Sequence, residues 1–195
     1  MILASASPRR AELLTAAGYA FEVLAVDVDE RLRPGEAPLA YVQRLAEGKS
    51  ARALELLTAG DGYIVLAADT AVVVGEQILG KPRDAEDAAR MLRLLAGRVH
   101  VVLTGVSARS AAQELVIVER TVVEFAQLTE DQIAWYVSSG EGSDKAGAYG
   151  IQGLASRFIP RIEGSYSNVV GLPIAAVDHL IQRLTRPPRA LASPG

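Results

Sequence analysis

Apolar and polar positions follow two rhythms along this chain, and the switches between them mark its elements. Met1 to Ala4 is a short apolar run, read as a buried strand, and Ser7-Pro8 then opens a helix to about Ala17, stopped by Gly18. Serine ahead of proline is a strong start signal, because proline lacks the N–H that a first helical turn leaves unpaired. Phe21 to Val26 alternates weakly and predicts a strand, and Asp27 to Pro38 is a charged, proline-containing loop. Leu39 to Leu57 has apolar residues at helical spacing and runs into Thr58-Ala59-Gly60. Ile64 to Val74 is the most β-rich run, interrupted only by Asp69 and Thr70, and Gly75-Glu76 turns it into Gln77 to Leu79.

Asp84 to Leu95 predicts a helix with an acidic first turn and Gly97 just past its end. Val99 to Ser107 and Leu115 to Phe125 are long strand candidates whose adjacency favours antiparallel pairing. Thr129 starts a helix to Val137 with a capping-type Thr-x-x-Gln. Glycines 140, 142, 147, 150 and 153 then define a loop whose backbone takes unusual dihedrals or lies close against something. Pro173 to Leu184 is a last helix, and residues 186–195, RPPRALASPG, read as a disordered tail. The pattern predicts an α/β fold, a mixed sheet flanked by helices, in one domain over residues 1–185.

Composition narrows the function classes. Half of the 195 residues are apolar, so a large core is available. A net charge of −3 gives no global field for nucleic acid or an anionic membrane, so any phosphate site must be local. With no cysteine there is no disulfide, thiolate metal site or cysteine nucleophile, which fits a reducing compartment. MILASASPRR lacks a signal-peptide pattern, and no apolar run reaches the length of about 18 residues needed to span a bilayer. A cytoplasmic protein is expected.

Some motifs mislead. Gly48-Lys49-Ser50 resembles the end of a phosphate-cradling loop, but Gln43 stands where its first glycine belongs and the segment reads as helix. His100 and His179 lie far apart in strand and helix contexts, so structural roles suit both.

Four constellations carry chemistry. Ser5-Ala6-Ser7-Pro8-Arg9-Arg10 joins free helix-start N–H groups to two hydroxyls and two forked guanidinium donors, a phosphate-binding set. It reads equally as a cap followed by two solvated arginines. Asp69, beside Thr70, is costly in so apolar a strand unless paired, protonated or bound to a cation, which favours function over a plain structural hydrogen bond. Lys81, after Gly80 at a strand-to-helix junction, is placed to meet phosphate or to face solvent, and Lys49 and Lys145 share that ambiguity. Gln152, framed by glycines in Gly150-Ile151-Gln152-Gly153, has an amide donor and a carbonyl acceptor, the complement of the edge shared by uracil and thymine. A flipped amide would serve cytosine, and composition alone would make the segment a mobile loop.

Together, LASASPRRAELL, AADTAVVV, GKPRDAEDAARMLRLLAG, HVVLTG, DKAGAYGIQG and EGSYSNVVGLP resemble the Maf family, in its order, from residue 3 to about 184. The resemblance implies an elongated, two-lobed fold like that of the inosine triphosphate pyrophosphatases, with a twisted mixed sheet and a central cleft. It implies hydrolysis of a nucleoside triphosphate between the α- and β-phosphates, with a divalent cation, Mg²⁺ or alternatively Mn²⁺. By position, Asp69 matches the catalytic proton acceptor. Arg9, Thr70 and Gln152 match positions tied to substrate choice, and Ser7, Arg10, Lys49 and Lys81 match polar positions around the phosphates. Glu30 matches an acid that helps hold the metal together with Asp69, with Asp29 beside it as the alternative. The GIQG form resembles the branch acting on dTTP and UTP, with modified pyrimidine nucleotides as further substrates. Alternatives are the same reaction on 7-methyl-GTP, and a nucleotide-binding regulator of septum formation without hydrolysis. A homodimer through an exposed apolar sheet edge is a further expectation.

Overall fold

The computed structural model describes residues 1–57 and 62–185. Thr58-Ala59-Gly60, where the second helix was expected to end, and the tail of residues 186–195 lie outside the described residues. In chain order the elements are β1 (Ile2–Ala4), α1 (Pro8–Ala16), β2 (Glu22–Val23), α2 (Pro38–Leu56), β3 (Val65–Val74) and β4 (Gln77–Leu79). There follow α3 (Ala85–Leu95), β5 (Val99–Arg109), β6 (Glu114–Glu124), α4 (Glu130–Ser138), β7 (Arg161–Glu163), α5 (Tyr166–Val170) and α6 (Ile174–Thr185). Short 3₁₀ turns occupy Ala146–Ala148 and Leu154–Phe158.

All seven strands form one mixed sheet in the order β2-β1-β3-β5-β6-β7, with β4 on the end of β3. β1 runs parallel to β2 and β3, and the remaining pairs are antiparallel. The predicted antiparallel pair, β5 and β6, is in register from Val99 opposite Glu124 to Arg109 opposite Glu114. β2 is shorter than the expected Phe21 to Val26 because its only neighbour, β1, ends at Ala4. β7 and α5 carry no period in the sequence and appear only here.

Alternation along β3 sorts its side chains onto two faces. Ala67, Ala71 and Val73 pack under α2 through Ala53 and Val42. On the opposite face Leu66 and Ala68 join Leu14 of α1 and Val177 and Leu180 of α6 in one core. Further along that face, Val72 and Val74 join a second core with Leu92, Leu95, Phe125, Ile133 and Tyr136. Thr70 is the polar position between these two cores, and Asp69 is the charged position under α2. Thr129 caps α4 with the reciprocal bonds that Thr-x-x-Gln foretold.

Candidate active site

A cleft of about 830 Å³ opens beside Asp69 and Thr70 and is lined by all nine residues that the family resemblance matched to catalysis, substrate or metal. Ser7, Arg9 and Arg10 come from the start of α1, Glu30 from the loop before α2, and Lys49 from α2. Asp69 and Thr70 come from β3, Lys81 from the turn after β4, and Gln152 from the glycine loop. A second hollow of about 230 Å³, between the start of α3 and the end of α4, contains none of the nine.

Asp69 is 8% exposed. Its Oδ1 accepts a hydrogen bond of 2.6 Å from Lys49 Nζ, and the same ammonium lies 2.7 Å from Glu30 Oε1. Burial raises the Asp69 carboxyl above the usual aspartate value, and Lys49 and Arg10 offset only part of that rise. Oδ2 receives no hydrogen bond from the described residues. Lys49 reaches Asp69 because α2 lies directly on the sheet at Gly105, the residue paired with Asp69 across β3 and β5. A Cβ at Gly105 would run into the Val42 carbonyl of α2.

The acid beside Asp69 is Glu30, not Asp29. Asp29 is taken up by Arg31 at 2.7 and 2.8 Å and does not line the cleft. Tyr41 donates its hydroxyl to the Glu30 carbonyl, and Arg44 donates to the carbonyls of Asp29 and Arg31, so α2 shapes the loop that carries Glu30.

Ser7 stands at the N-cap of α1 and Pro8 follows it, but the Ser7 hydroxyl makes no cap bond and remains at the cleft. Arg10 is engaged within the protein: Nε donates to the Gly171 carbonyl at 2.8 Å, Nη1 to Ser5 Oγ and Nη2 to Thr70 Oγ1, both at 3.1 Å. Burial lowers its pKa from the ordinary guanidinium value, and Asp69 counters that. It therefore ties α1 to β3 and to the turn before α6. Arg9 crosses the cleft to Asp144 at 2.9 Å, and the second Asp144 oxygen meets Lys145 Nζ at 2.7 Å. Lys81 has no carboxylate partner among the described residues.

The family model described as Maf-like protein matches residues 1–184. The chain belongs to the Maf family. Among relatives, a protein of Anaeromyxobacter dehalogenans (strain 2CP-C) named dTTP/UTP pyrophosphatase is 54% identical over 187 residues, covering 94% of this chain and 93% of its own. One of the same name from Pseudoalteromonas atlantica (strain T6c / ATCC BAA-1087) is 46% identical over 186 residues, covering 95% and 97%. The solved structure of the Staphylococcus aureus Ham1 protein aligns with a TM-score of 0.48 and 15% identity, covering 94% of this chain and 98% of that one.

The Maf chain also uses cleft residues that the sequence reading assigned no role. Asp144 sits inside the quoted DKAGAYGIQG stretch, yet only the fold reveals that it faces Arg9. Tyr41 is likewise silent in sequence, because a lone hydroxyl has no pattern, whereas Ser5 belongs to the helix-start set and takes a hydrogen bond from Arg10. His100 has the structural role expected of it: it is buried, its Nε2 lies 2.8 Å from the Tyr149 hydroxyl, and burial lowers its pKa to about 4.

Proposed function

We propose that this Maf-family protein hydrolyses dTTP and UTP to the nucleoside monophosphate and pyrophosphate. One observation carries the reading: a buried carboxylate, Asp69, held by one oxygen while the other takes no hydrogen bond from the described residues, in a cleft that also holds Arg9, Arg10, Lys49, Lys81 and Lys145. Relatives at about half identity that are named dTTP/UTP pyrophosphatases support the same reaction and the same bases.

Glu30 and Asp69 supply hard oxygen donors converging on one ammonium, so a cation already occupies their shared space in the form of Lys49 Nζ. No group of three metal-binding side chains occurs among the described residues. That fits Mg²⁺, which is usually held by one or two carboxylates plus substrate phosphates, and Mn²⁺ suits the same donors. A divalent cation held by Glu30 and Asp69 would neutralise phosphate charge and polarise the α-phosphoryl group.

The chain's own residues do the rest. Asp69 Oδ2 orients a water and takes its proton as the water oxygen bonds to the α-phosphorus. The bond from that phosphorus to the oxygen bridging the β-phosphate breaks, and pyrophosphate leaves with the oxygen. Lys81, without a carboxylate partner among the described residues, and the α1 start with Ser7 and Arg9 stabilise charge on the leaving group. Gln152 reads the carbonyl and N–H edge of the pyrimidine. Lack of cysteine supports a reducing, cytoplasmic setting.

The test is pyrophosphate release from a panel of NTPs and dNTPs, with Mg²⁺ and with EDTA. Metal-dependent release favouring dTTP and UTP is expected. Nucleotide binding without turnover would overturn the enzymatic reading in favour of a regulatory module. Preference for 7-methyl-GTP would keep the reaction and remove Gln152 as the pyrimidine reader.

A further inference from the structure

The loop that carries Gln152 hangs from two side chains that do not line the cleft. Tyr136 of α4 is buried, and its hydroxyl does two things at once. It accepts a hydrogen bond from the Gly150 N–H at 3.1 Å and donates one of 2.8 Å to Glu141 Oε1. The Glu141 carboxylate in turn accepts from the Leu154 N–H at 2.8 Å and from the Ala155 N–H at 3.4 Å. Gly150 and Leu154 bracket Gln152 by two residues on either side. Both brackets are therefore fixed to one Tyr–Glu pair, while the Gln152 side chain between them stays exposed at the cleft.

Two further contacts tighten the arrangement. Gly153 lies flat against the Glu141 carboxylate, so closely that a Cβ there would collide with Oε2. The main-chain carbonyl of Glu141 accepts from Lys145 Nζ, which links the base loop to a cation of the cleft. Burial, and then the Glu141 bond, raise the Tyr136 phenol above its usual value, so it is a donor at any working pH. A carboxylate accepting two backbone N–H groups at the start of the 3₁₀ turn Leu154–Phe158 is a charge-assisted anchor.

We propose that Tyr136 and Glu141 are positioning residues for base selection: they hold the Gly150–Leu154 loop in place relative to the phosphate-binding side, so that Gln152 meets the edge of a pyrimidine rather than that of a purine. This rests on the reading of Gln152 as the base contact. Neither residue lines the cleft. A recognition loop discriminates between bases only as well as it resists displacement, and its two anchors supply that resistance.

The experiment measures kcat/KM for UTP and for GTP in wild type, Tyr136→Phe, Glu141→Gln and Gln152→Ala, with inhibition by inorganic tripolyphosphate as a probe of the phosphate side alone. Tyr136→Phe removes only the hydroxyl, worth one hydrogen bond to each partner. The UTP-over-GTP ratio is expected to fall roughly tenfold, as when about half the free energy of the two lost hydrogen bonds is felt in base choice. Tripolyphosphate inhibition should stay within about twofold of wild type, as expected for a side left intact. Glu141→Gln keeps the size and one acceptor and should fall in the same direction; it also stands in should Tyr136→Phe not fold. An unchanged ratio in both variants, or equal losses for UTP and GTP together with weaker tripolyphosphate inhibition, overturns the proposal. If Gln152→Ala collapses the ratio while the other two leave it intact, only the anchoring is wrong. If Gln152→Ala itself leaves the ratio intact, the Gln152 reading fails and the anchoring falls with it.

Discussion

At the scale of single residues, the proposed chemistry turns on Asp69. Because burial raises its carboxyl, the unfolded chain releases that proton at a lower pH than the fold does. Keeping Asp69 ionised near neutrality therefore costs stability, and the cost grows as pH rises from the ordinary value near ~3.9 through the higher folded value. Asp69→Asn should thus cut turnover about 100- to 10,000-fold, the range of general-base catalysis, while the thermal midpoint at pH 7 rises. Calorimetry beside single-turnover pyrophosphate release checks both, and a lower midpoint would show that pairing with Lys49 outweighs desolvation. In wild type the acid limb of kcat/KM should lie above the ordinary aspartate value. Glu30→Gln should move that limb to lower pH, since Glu30 adds to the rise.

Asp144 is the opposite case. Burial alone would raise its carboxyl, but hydrogen bonds from Lys145 and Arg9 outweigh it and bring the pKa down to about 2. It stays ionised and holds Arg9, for which, on the proposed function, it competes with phosphate. Asp144→Asn should lower KM for UTP about two- to fivefold, the modest scale of a half-exposed pair, with kcat little changed. A raised KM would mean that Asp144 serves the cleft by placing Arg9 and Lys145 rather than by occupying them. Asp69 was legible in sequence because a carboxylate in an apolar run is anomalous on its own. Asp144 was not, because its meaning depends on an arginine 135 residues away.

At the scale of elements, α2 is the part on which the site depends. It carries Tyr41 and Arg44, which hold the Glu30 loop, and Lys49, which joins Glu30 to Asp69. Its distance from the sheet is set at Gly105, where helix backbone packs on strand backbone. Gly105→Ala should lift α2, cost about 1–3 kcal/mol as overpacking does, and lower kcat by loosening Lys49 from Asp69. Urea titration and steady-state kinetics read the two effects, and a variant that loses stability but keeps kcat would separate the helix from the chemistry. The elements themselves were largely readable: Ser7-Pro8, Thr129-x-x-Gln132 and the long runs of β3, β5 and β6 each carry a local signal. β7 and α5 were not, since three or five residues make no period; besides its Ser165 cap, α5 is held by distant contacts such as the Asn168 amide reaching Val102 and Thr121.

At the scale of the whole molecule, a net charge of −3 coexists with a cleft of locally basic character. Arg9, Arg10, Lys49, Lys81 and Lys145 face it against Asp27, Glu30, Asp69 and Asp144. Attraction of a polyanionic substrate is thus local and open to screening. Raising NaCl from roughly 0.05 to 0.5 M shrinks the Debye length severalfold and should raise KM for UTP more than it changes kcat. Salt-independent KM would place the affinity in the base rather than in the phosphates.

The chain alone determined the mixed sheet with its flanking helices, the anomaly at Asp69 and the short list of polar residues beside glycines and helix starts. Periodicity, caps and misplaced charges are written in neighbouring residues, so they need no fold to be read. Tertiary structure alone decided that Glu30 rather than Asp29 meets Lys49, that Arg10 spends three nitrogens on Ser5, Thr70 and Gly171, and that Tyr136 and Glu141 suspend the Gln152 loop. The Arg10 to Gly171 bond spans 161 residues. No local rule encodes such a contact; it exists only because burying the apolar faces of β3, α1 and α6 brings its two ends together.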